Sequence, residues 1–250
     1  MTELIHKATT HTGRRQNNED ALNVSPSLGL YVVADGMGGY EGGEVASALA
    51  VETIEDFLRR NVEDEGLTWP IGASPQWSFA ENLVMAAITL AHRAIVARKT
   101  GRLAKMGTTI AMLLRHRDKI VVGHVGDSRV YRLRQGELVQ VTRDHSLYNQ
   151  MQDAGVVDMP PLSDYPYGHV ITRALGFMDR DCAPDVRVEA VQPGDTWLLC
   201  TDGLLEGLAD EEIKVGMSAP DVERGCEGLV ERAYERGSKD NITAIMVRAA

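Results

Sequence analysis

Three apolar runs in this 250-residue chain each end in an aspartate, and that recurrence constrains the fold more than any other feature. They are Tyr31-Val-Val-Ala-Asp35-Gly36, Val121-Val-Gly-His-Val-Gly126-Asp127 and Trp197-Leu-Leu-Cys-Thr-Asp202-Gly203. Short apolar runs bounded by Gly and Asp read as buried strands. Asp240 precedes a fourth run over 242–247, and Asp20 follows Asn18-Glu19 near the first. Taken singly, Asp-Gly and Gly-Asp are common turn dipeptides. Taken together they say more, because strands in one sheet bring their ends to one rim. Carboxylates gathered at a buried rim repel, at a cost of several kcal/mol unless they are neutralised. An all-oxygen donor set with no nearby His or Cys group suits a hard cation such as Mg²⁺ or Mn²⁺.

Around these runs the spacing predicts further strands over 108–114, 119–125, 129–134, 137–141 and 185–191, with 196–201 and 242–247 near the end. The four in the middle have short polar connections and read as an antiparallel meander. Helical spacing recurs at Ala46, Leu49, Ala50, Ile54, Phe57 and Leu58. It recurs at Phe79, Leu83, Ala86, Ala87, Leu90, Ala91, Ala94 and Ile95, and again at Val222, Cys226, Leu229, Val230 and Ala233. Residues 63–77 read as a loop, and 146–153 as a short helix. With no linker or internal repeat, one domain is expected over 1–250. Strand runs interspersed with helix pairs suggest an α+β arrangement of antiparallel sheets with helices outside, not βαβ alternation.

The chain is long enough to bury a sizeable core. Its 36 Asp+Glu against 26 Lys+Arg leave a net charge of −10, which argues against a nucleic-acid binder. Cys182, Cys200 and Cys226 are odd in number and far apart, so they form neither a disulfide framework nor a metal clip. Residues 1–13 lack the apolar centre of a signal peptide, and the apolar stretch 83–91 ends at His92 and Arg93, too short for a bilayer. A soluble cytoplasmic protein is the expectation. The glycine-rich segment 35–44 has neither a GK[ST] ending nor a GxGxxG triplet. Its glycines would let backbone approach closely, so that the Gly36 carbonyl could face a metal. Arg14 and Arg15, beside Asn18-Glu19-Asp20, offer either an ion pair or a bidentate fork for phosphate. His124, inside an apolar strand, reads as a satisfied core residue. No Ser/His/Asp or Cys/His arrangement supports a covalent nucleophile.

Six segments in order resemble the motifs of the PPM family, the metal-dependent serine/threonine protein phosphatases of type 2C. They are Arg15-Gln-Asn-Asn-Glu-Asp20, Val33-Ala-Asp-Gly-Met-Gly-Gly39, Met106-Gly-Thr-Thr109, Val125-Gly-Asp-Ser-Arg129, Cys200-Thr-Asp-Gly203 and Asp240-Asn-Ile-Thr243. The resemblance covers nearly the whole chain, and the DGMGG form resembles the bacterial branch. It implies a four-layer αββα sandwich, two mainly antiparallel sheets flanked by helix pairs, with the site at one rim. It further implies that Asp35 bridges two Mn²⁺ or Mg²⁺ ions, with the Gly36 carbonyl on one and Asp202 and Asp240 completing the other. Asp20 and Glu19 would hold the water shell, Asp127 a third, weaker ion, and Arg15 the substrate phosphate.

On that pattern a metal-activated water hydrolyses phosphoserine and phosphothreonine directly, without a phosphoenzyme. Phosphorylated proteins, the targets of a Ser/Thr kinase, are the implied partners, and a monomer is expected. Met37 stands where eukaryotic family members have a histidine proposed as general acid, and Tyr40 where many bacterial members have His. The proton donor is thereby left open, with a metal-bound water as the fallback. A flap over 144–175 keeps the family's Thr-x-Asp-His-Ser start and Ile-Thr-Arg-Ala-Leu-Gly end. Its middle, 156–168, carries prolines, acids and tyrosines that would offer a partner apolar surface. Two other readings are a phosphoprotein-binding pseudophosphatase and a two-metal hydrolase of small phosphate esters or phosphodiesters. The first would have lost metal aspartates; the tyrosines Tyr148, Tyr165 and Tyr167 leave room for the second.

Overall fold

Strands β1 (Leu4–His11), β2 (Asp20–Ser25) and β3 (Leu30–Met37) lead into two long helices, α1 (Gly42–Asn61) and α2 (Phe79–Arg98). A strand-rich middle follows: β4 (Gly107–Thr108), β5 (Ile110–His116), β6 (Lys119–Val125), β7 (Arg129–Arg134) and β8 (Glu137–Gln140). Helix α3 (Leu147–Asp153) precedes β9 (Asp185–Ala190) and β10 (Thr196–Cys200). Helices α4 (Asp202–Gly207), α5 (Asp210–Met217) and α6 (Val222–Glu235) then lead to β11 (Ile242–Ala249). This computed structural model describes residues 2–38, 42–168, 170–177 and 182–250. Gly39 and Tyr40 of the glycine-rich segment, and His169 of the flap, lie outside the described residues.

The strands form two antiparallel sheets, ordered β1-β11-β10-β7-β8 and β2-β3-β5-β6-β9, with β4 paired to β3. They stack face to face. Tyr31, Val33, Leu113 and Val122 of one sheet meet Trp197, Leu199, Ile245 and Val247 of the other. The alternate residues of β3, Leu30 and Val32, face the opposite way and pack with Ile54 and Leu58 of α1 and Leu83 and Ile88 of α2. Leu198 and Met246 on the far side of the other sheet pack with α4, α5 and α6 through Leu204, Ile213 and Leu229. A strand covered on both faces has no solvent side, so its side chains are apolar in succession rather than in alternation. That is why the runs ending at Asp35 and Asp202 carry so little polarity, and the result is the expected four-layer αββα sandwich.

Helix α2 begins with a capping box, in which Glu81 N donates to Ser78 Oγ at 3.3 Å and Ser78 N donates to Glu81 Oε2 at 2.8 Å. It runs on through His92 and Arg93 to Arg98, because the His92 ring is buried and accepts the Gly176 N–H at 3.1 Å. By length and composition alone the helix could cross a membrane. Its apolar side is instead spent on the core through Leu83, Ile88 and Ile95, all fully buried.

The structure revises three expectations. The four middle strands are not one meander: β5 and β6 pair in one sheet, β7 and β8 in the other, and Gly126 to Ser128 cross between them. Strands β1 and β2 and helices α4 and α5 carry too little local periodicity to announce themselves. The flap is more ordered than its composition suggests. Its ends are tied by Thr172 N to His145 O at 2.7 Å and Leu175 N to Thr108 O at 2.8 Å. Within it the Tyr148 hydroxyl donates to Pro160 O at 3.1 Å, and the Tyr148 and Tyr165 rings stack edge-on at 5.4 Å. Of the three tyrosines only Tyr167, 60% exposed, presents a large free face.

Candidate metal centre

The antiparallel register of β2 and β3 sets Asp20 directly opposite Asp35. Asp127 enters from the crossing between β6 and β7, and Asp202 is the first residue of α4, directly after β10. Asp240 lies in the turn before β11. The carboxylates thus come from strand ends of both sheets.

Neutral side chains hold this arrangement. Asp35 N donates to Thr109 Oγ1 at 3.0 Å, and Thr108 Oγ1 donates to Asp35 O at 2.8 Å. The Thr109 and Ser128 hydroxyls are bonded to each other at 2.7 Å. Thr201 Oγ1 donates to Asp20 Oδ2 at 2.9 Å and accepts Thr243 N at 3.0 Å. Asn241 Oδ1 accepts Glu19 N at 2.8 Å, while its Nδ2 donates to Thr12 O and Asn17 O. Sequence reasoning left these supporting roles unassigned; the signal was available, since each residue sits one or two places from an aspartate or in a short Thr-Thr pair. Glycine is required where backbones meet. A Cβ on Gly36 would fall 2.1 Å from Gly43 O, and one on Gly13, whose φ is +65°, 1.8 Å from Asp240 O.

Arg15, Glu19, Asp35, Gly36, Asp202 and Asp240 line one cavity of about 750 Å³. Asp127 lines a second cavity of about 660 Å³, and Asp202 faces both. Asp20 lines neither and is held below by Thr201. Arg15 Nη2 lies 2.6 Å from Asp240 Oδ2, so an ion pair is formed there. Met37 lines the first cavity; Tyr40, the other departure from the family pattern, falls outside the described residues.

The electrostatics test whether cations fit. Burial pushes Asp35 well above the usual carboxylate range, and the neighbouring carboxylates Asp202, Asp20 and Asp127 push it further. Burial likewise raises Asp20 to about 7, against the Thr243 and Thr201 hydroxyls, with Asp202 and Asp240 adding to the rise. Asp127 is raised to about 7 by burial and then by Asp202 and Asp144, and its Oδ1 has no hydrogen-bond partner. Glu19 is raised by burial, while Arg15 opposes the shift. Buried acids of one sign, all oxygen donors, one with an orphaned oxygen, fit hard divalent cations. Among the described residues no three of these acids bring ligand atoms within 4.8 Å of one another.

A second polar cluster lies on the other side of Gly126. His145 Nδ1 accepts Gly126 N at 3.0 Å, which leaves the ring proton on Nε2, 3.2 Å from Asp185 Oδ2. His124 stacks on His145 with ring centroids 4.7 Å apart, and neither His124 nitrogen has a hydrogen-bond partner. It is a core residue, as expected, but not a satisfied one. Ligand atoms of His124, His145 and Asp185 do fall within 4.8 Å of one another, yet a cation is already present: Arg173 Nη1 lies 3.1 Å from Asp185 Oδ1.

Comparison with known proteins agrees with this geometry. Residues 8–244 match the family described as Protein phosphatase 2C. The serine/threonine protein phosphatase PstP of Mycobacterium tuberculosis is 32% identical over 93% of this chain, which spans only 42% of that relative's length. The serine/threonine phosphatase stp of Listeria welshimeri is 30% identical, with 95% of this chain and 93% of the relative covered. A crystal structure of the PstP catalytic domain in complex with two manganese ions superposes with a TM-score of 0.81 at 32% identity, covering 98% of this chain and 97% of that one.

Proposed function

The chain belongs to the protein phosphatase 2C family, and on that premise we propose that it hydrolyses phosphoserine and phosphothreonine on proteins with Mn²⁺ as its metal. The carrying observation is the buried acidic cluster, whose carboxylates raise one another, with Arg15 at its edge paired to Asp240 and Arg129, near Asp127, paired to Asp144. Asp35, which feels Asp202, Asp20 and Asp127 together, is assigned as the carboxylate shared between two ions, with the Gly36 carbonyl beside it. Asp202 and Asp240 would hold the second ion. Asp20, which lines neither cavity, and Glu19, which lines the first, would act through water. Asp127, in the adjoining cavity, serves a third and weaker ion, and Mg²⁺ is an alternative occupant throughout.

Cations held by these residues would supply a water of lowered pKa and offset charge on the phosphoryl oxygens. Arg15, anchored at Asp240 and otherwise exposed, orients the phosphate by its planar fork. Its charge also counters a protein field of −10 that would repel a dianion. Met37 cannot donate a proton, so the leaving alkoxide takes one from water. The same reading assigns a cytoplasmic monomer acting on the products of a Ser/Thr kinase.

The test is hydrolysis of p-nitrophenyl phosphate and of a phosphothreonine peptide with Mn²⁺, repeated with EDTA and with bis(p-nitrophenyl) phosphate. Metal-dependent turnover of both monoesters, with the diester poor, is expected. Turnover that survives EDTA, or a preference for the diester, would overturn the assignment.

A further inference from the structure

One wall of the acidic cavity carries charge opposite to the protein as a whole. Residues 82–117 contain seven Lys or Arg and no Asp or Glu, in a chain whose net charge is −10. Part of that charge is committed elsewhere: Lys99 Nζ donates to Gly176 O at 2.5 Å, and Arg117 pairs with Glu65 at 2.7 Å. Arg102 is not committed. It lines the same cavity as Asp35, Asp202 and Arg15, is exposed, and makes no hydrogen bond or ion pair among the described residues. Lys105, three residues on, is likewise exposed and without such a partner.

The segment that carries both cations is fixed in place. It opens with a 3-10 turn over Gly101–Leu103, closed by Leu103 N to Thr100 O at 3.0 Å, and Met106 N bonds to Leu103 O at 3.1 Å. A Cβ on Gly38 would fall 2.8 Å from Lys105 O and 2.7 Å from Met106 Cα, so this segment packs directly on the turn that follows Asp35. A cation near clustered acids is first of all a counter-charge for them. Here the cation that acts on Glu19 is Arg15, and the partner of Asp240 is again Arg15. Arg102 stands on the wall with its charge unanswered among the described residues.

We propose that Arg102, supported by Lys105, forms an outer subsite that selects phosphopeptides carrying Asp or Glu close to the phosphorylated residue. The inference rests on the phosphatase reading and narrows its substrate class. A peptide crossing the cavity in extended form advances about 3.4 Å per residue, so side chains one to three positions from the phosphate reach the rim. There an acidic side chain meets a stretch of wall that does not repel it. Exposed pairs of this kind act mainly on selectivity and encounter, so the expected preference is modest, about 3- to 10-fold.

The experiment compares two phosphothreonine peptides, identical except that the flanking Glu residues of one are Gln in the other. Both are assayed with Mn²⁺ at low ionic strength on the wild type, Arg102→Ala and Arg102→Glu. The wild type should favour the acidic peptide in kcat/KM by about 3- to 10-fold. Arg102→Ala should bring the two peptides within about twofold by losing rate on the acidic one, and Arg102→Glu should invert the order. Added NaCl at about 0.5 M should erase the wild-type preference. A wild type without preference, or an Arg102→Ala variant that slows both peptides equally, overturns the subsite. Hydrolysis of p-nitrophenyl phosphate by the wild type separates the two claims: without it the phosphatase reading fails, and with it but no peptide preference only the subsite does.

Discussion

On either side of Gly126 and Asp127 lies a polar cluster, and the two reach neutrality by different routes. On one side His124, His145, Asp185 and Arg173 include both signs of charge. Burial drives His124 down to about 3 and lowers His145, so both rings are neutral at physiological pH. Burial works against the Asp185 carboxylate, but the His145 hydrogen bond and the nearby Arg173 hold it below its ordinary range. On the other side Asp20, Asp35 and Asp127 are all pushed up: their neighbours are hydroxyls and further carboxylates, and Arg129, which acts on Asp127, is already paired with Asp144. A cluster that contains its own counter-ion is part of the fold. A cluster of one sign is a place for an ion from outside.

Substitutions can break that contrast, and the largest effect is expected at its centre. Asp35→Asn keeps the volume and removes the charge, so Mn²⁺-dependent kcat/KM should fall by about three orders of magnitude, ~4 kcal/mol. The metal-free variant should melt higher than metal-free wild type, since a repelling charge is gone. Activity near that of the wild type would remove Asp35 from the centre. Next comes Arg15→Ala, which should weaken inhibition by free phosphate by about 1.5–3 kcal/mol while calorimetric Mn²⁺ binding persists. Unchanged phosphate inhibition would leave Arg15 as no more than the partner of Asp240. In the mixed cluster, Arg173→Leu removes the internal cation from a half-exposed site, where a loss of roughly 0.5–1 kcal/mol in stability is expected. Turnover of an aryl phosphate should stay within about twofold of the wild type; a marked loss of Mn²⁺ affinity would show that the clusters are not independent.

In pH dependence the two clusters have opposite signs. Asp20 and Asp127 are raised to about 7 in the fold from 3.8, so their ionisation penalises the metal-free folded state. That penalty is absent below the unfolded value and complete above about 7. His124 is lowered to about 3 from 6.5, so its contribution is complete above 6.5 and is lost as pH falls toward 3. In metal-free protein Asp127→Asn should melt above the wild type at neutral pH and lose that advantage on acidification. His124→Leu should instead gain on the wild type over the same fall. Tm differences that do not change with pH would show that neither cluster strains the fold.

By itself the sequence determined the materials of both clusters and most of the elements that carry them. The apolar runs ending at Asp35, Asp127 and Asp202 are legible because covered strands are apolar in succession and close on turn residues. The spacing of Ala46, Ala50, Ile54 and Leu58 marks the buried face of α1 for the same local reason, and β6 and β7 have the bounds that their pattern predicts. The identities in the six motifs carry the family and, through it, the candidate ligands.

Tertiary structure decided which of these pieces meet. The β5–β6 and β7–β8 hairpins look alike along the chain, and only their pairing with β3 and β10 sends them to different sheets. Arg15 finds Asp240 across 225 residues, and Thr201 finds Asp20 across 181. Nor does any local pattern reveal that Arg173 will stand beside Asp185, or that His124 will be buried without a hydrogen-bond partner. Periodicity and turn chemistry are set by neighbours a few residues away, so they can be read from the chain. The sign of a buried cluster's net charge depends on which distant side chains packing brings into it, and only the folded molecule settles that.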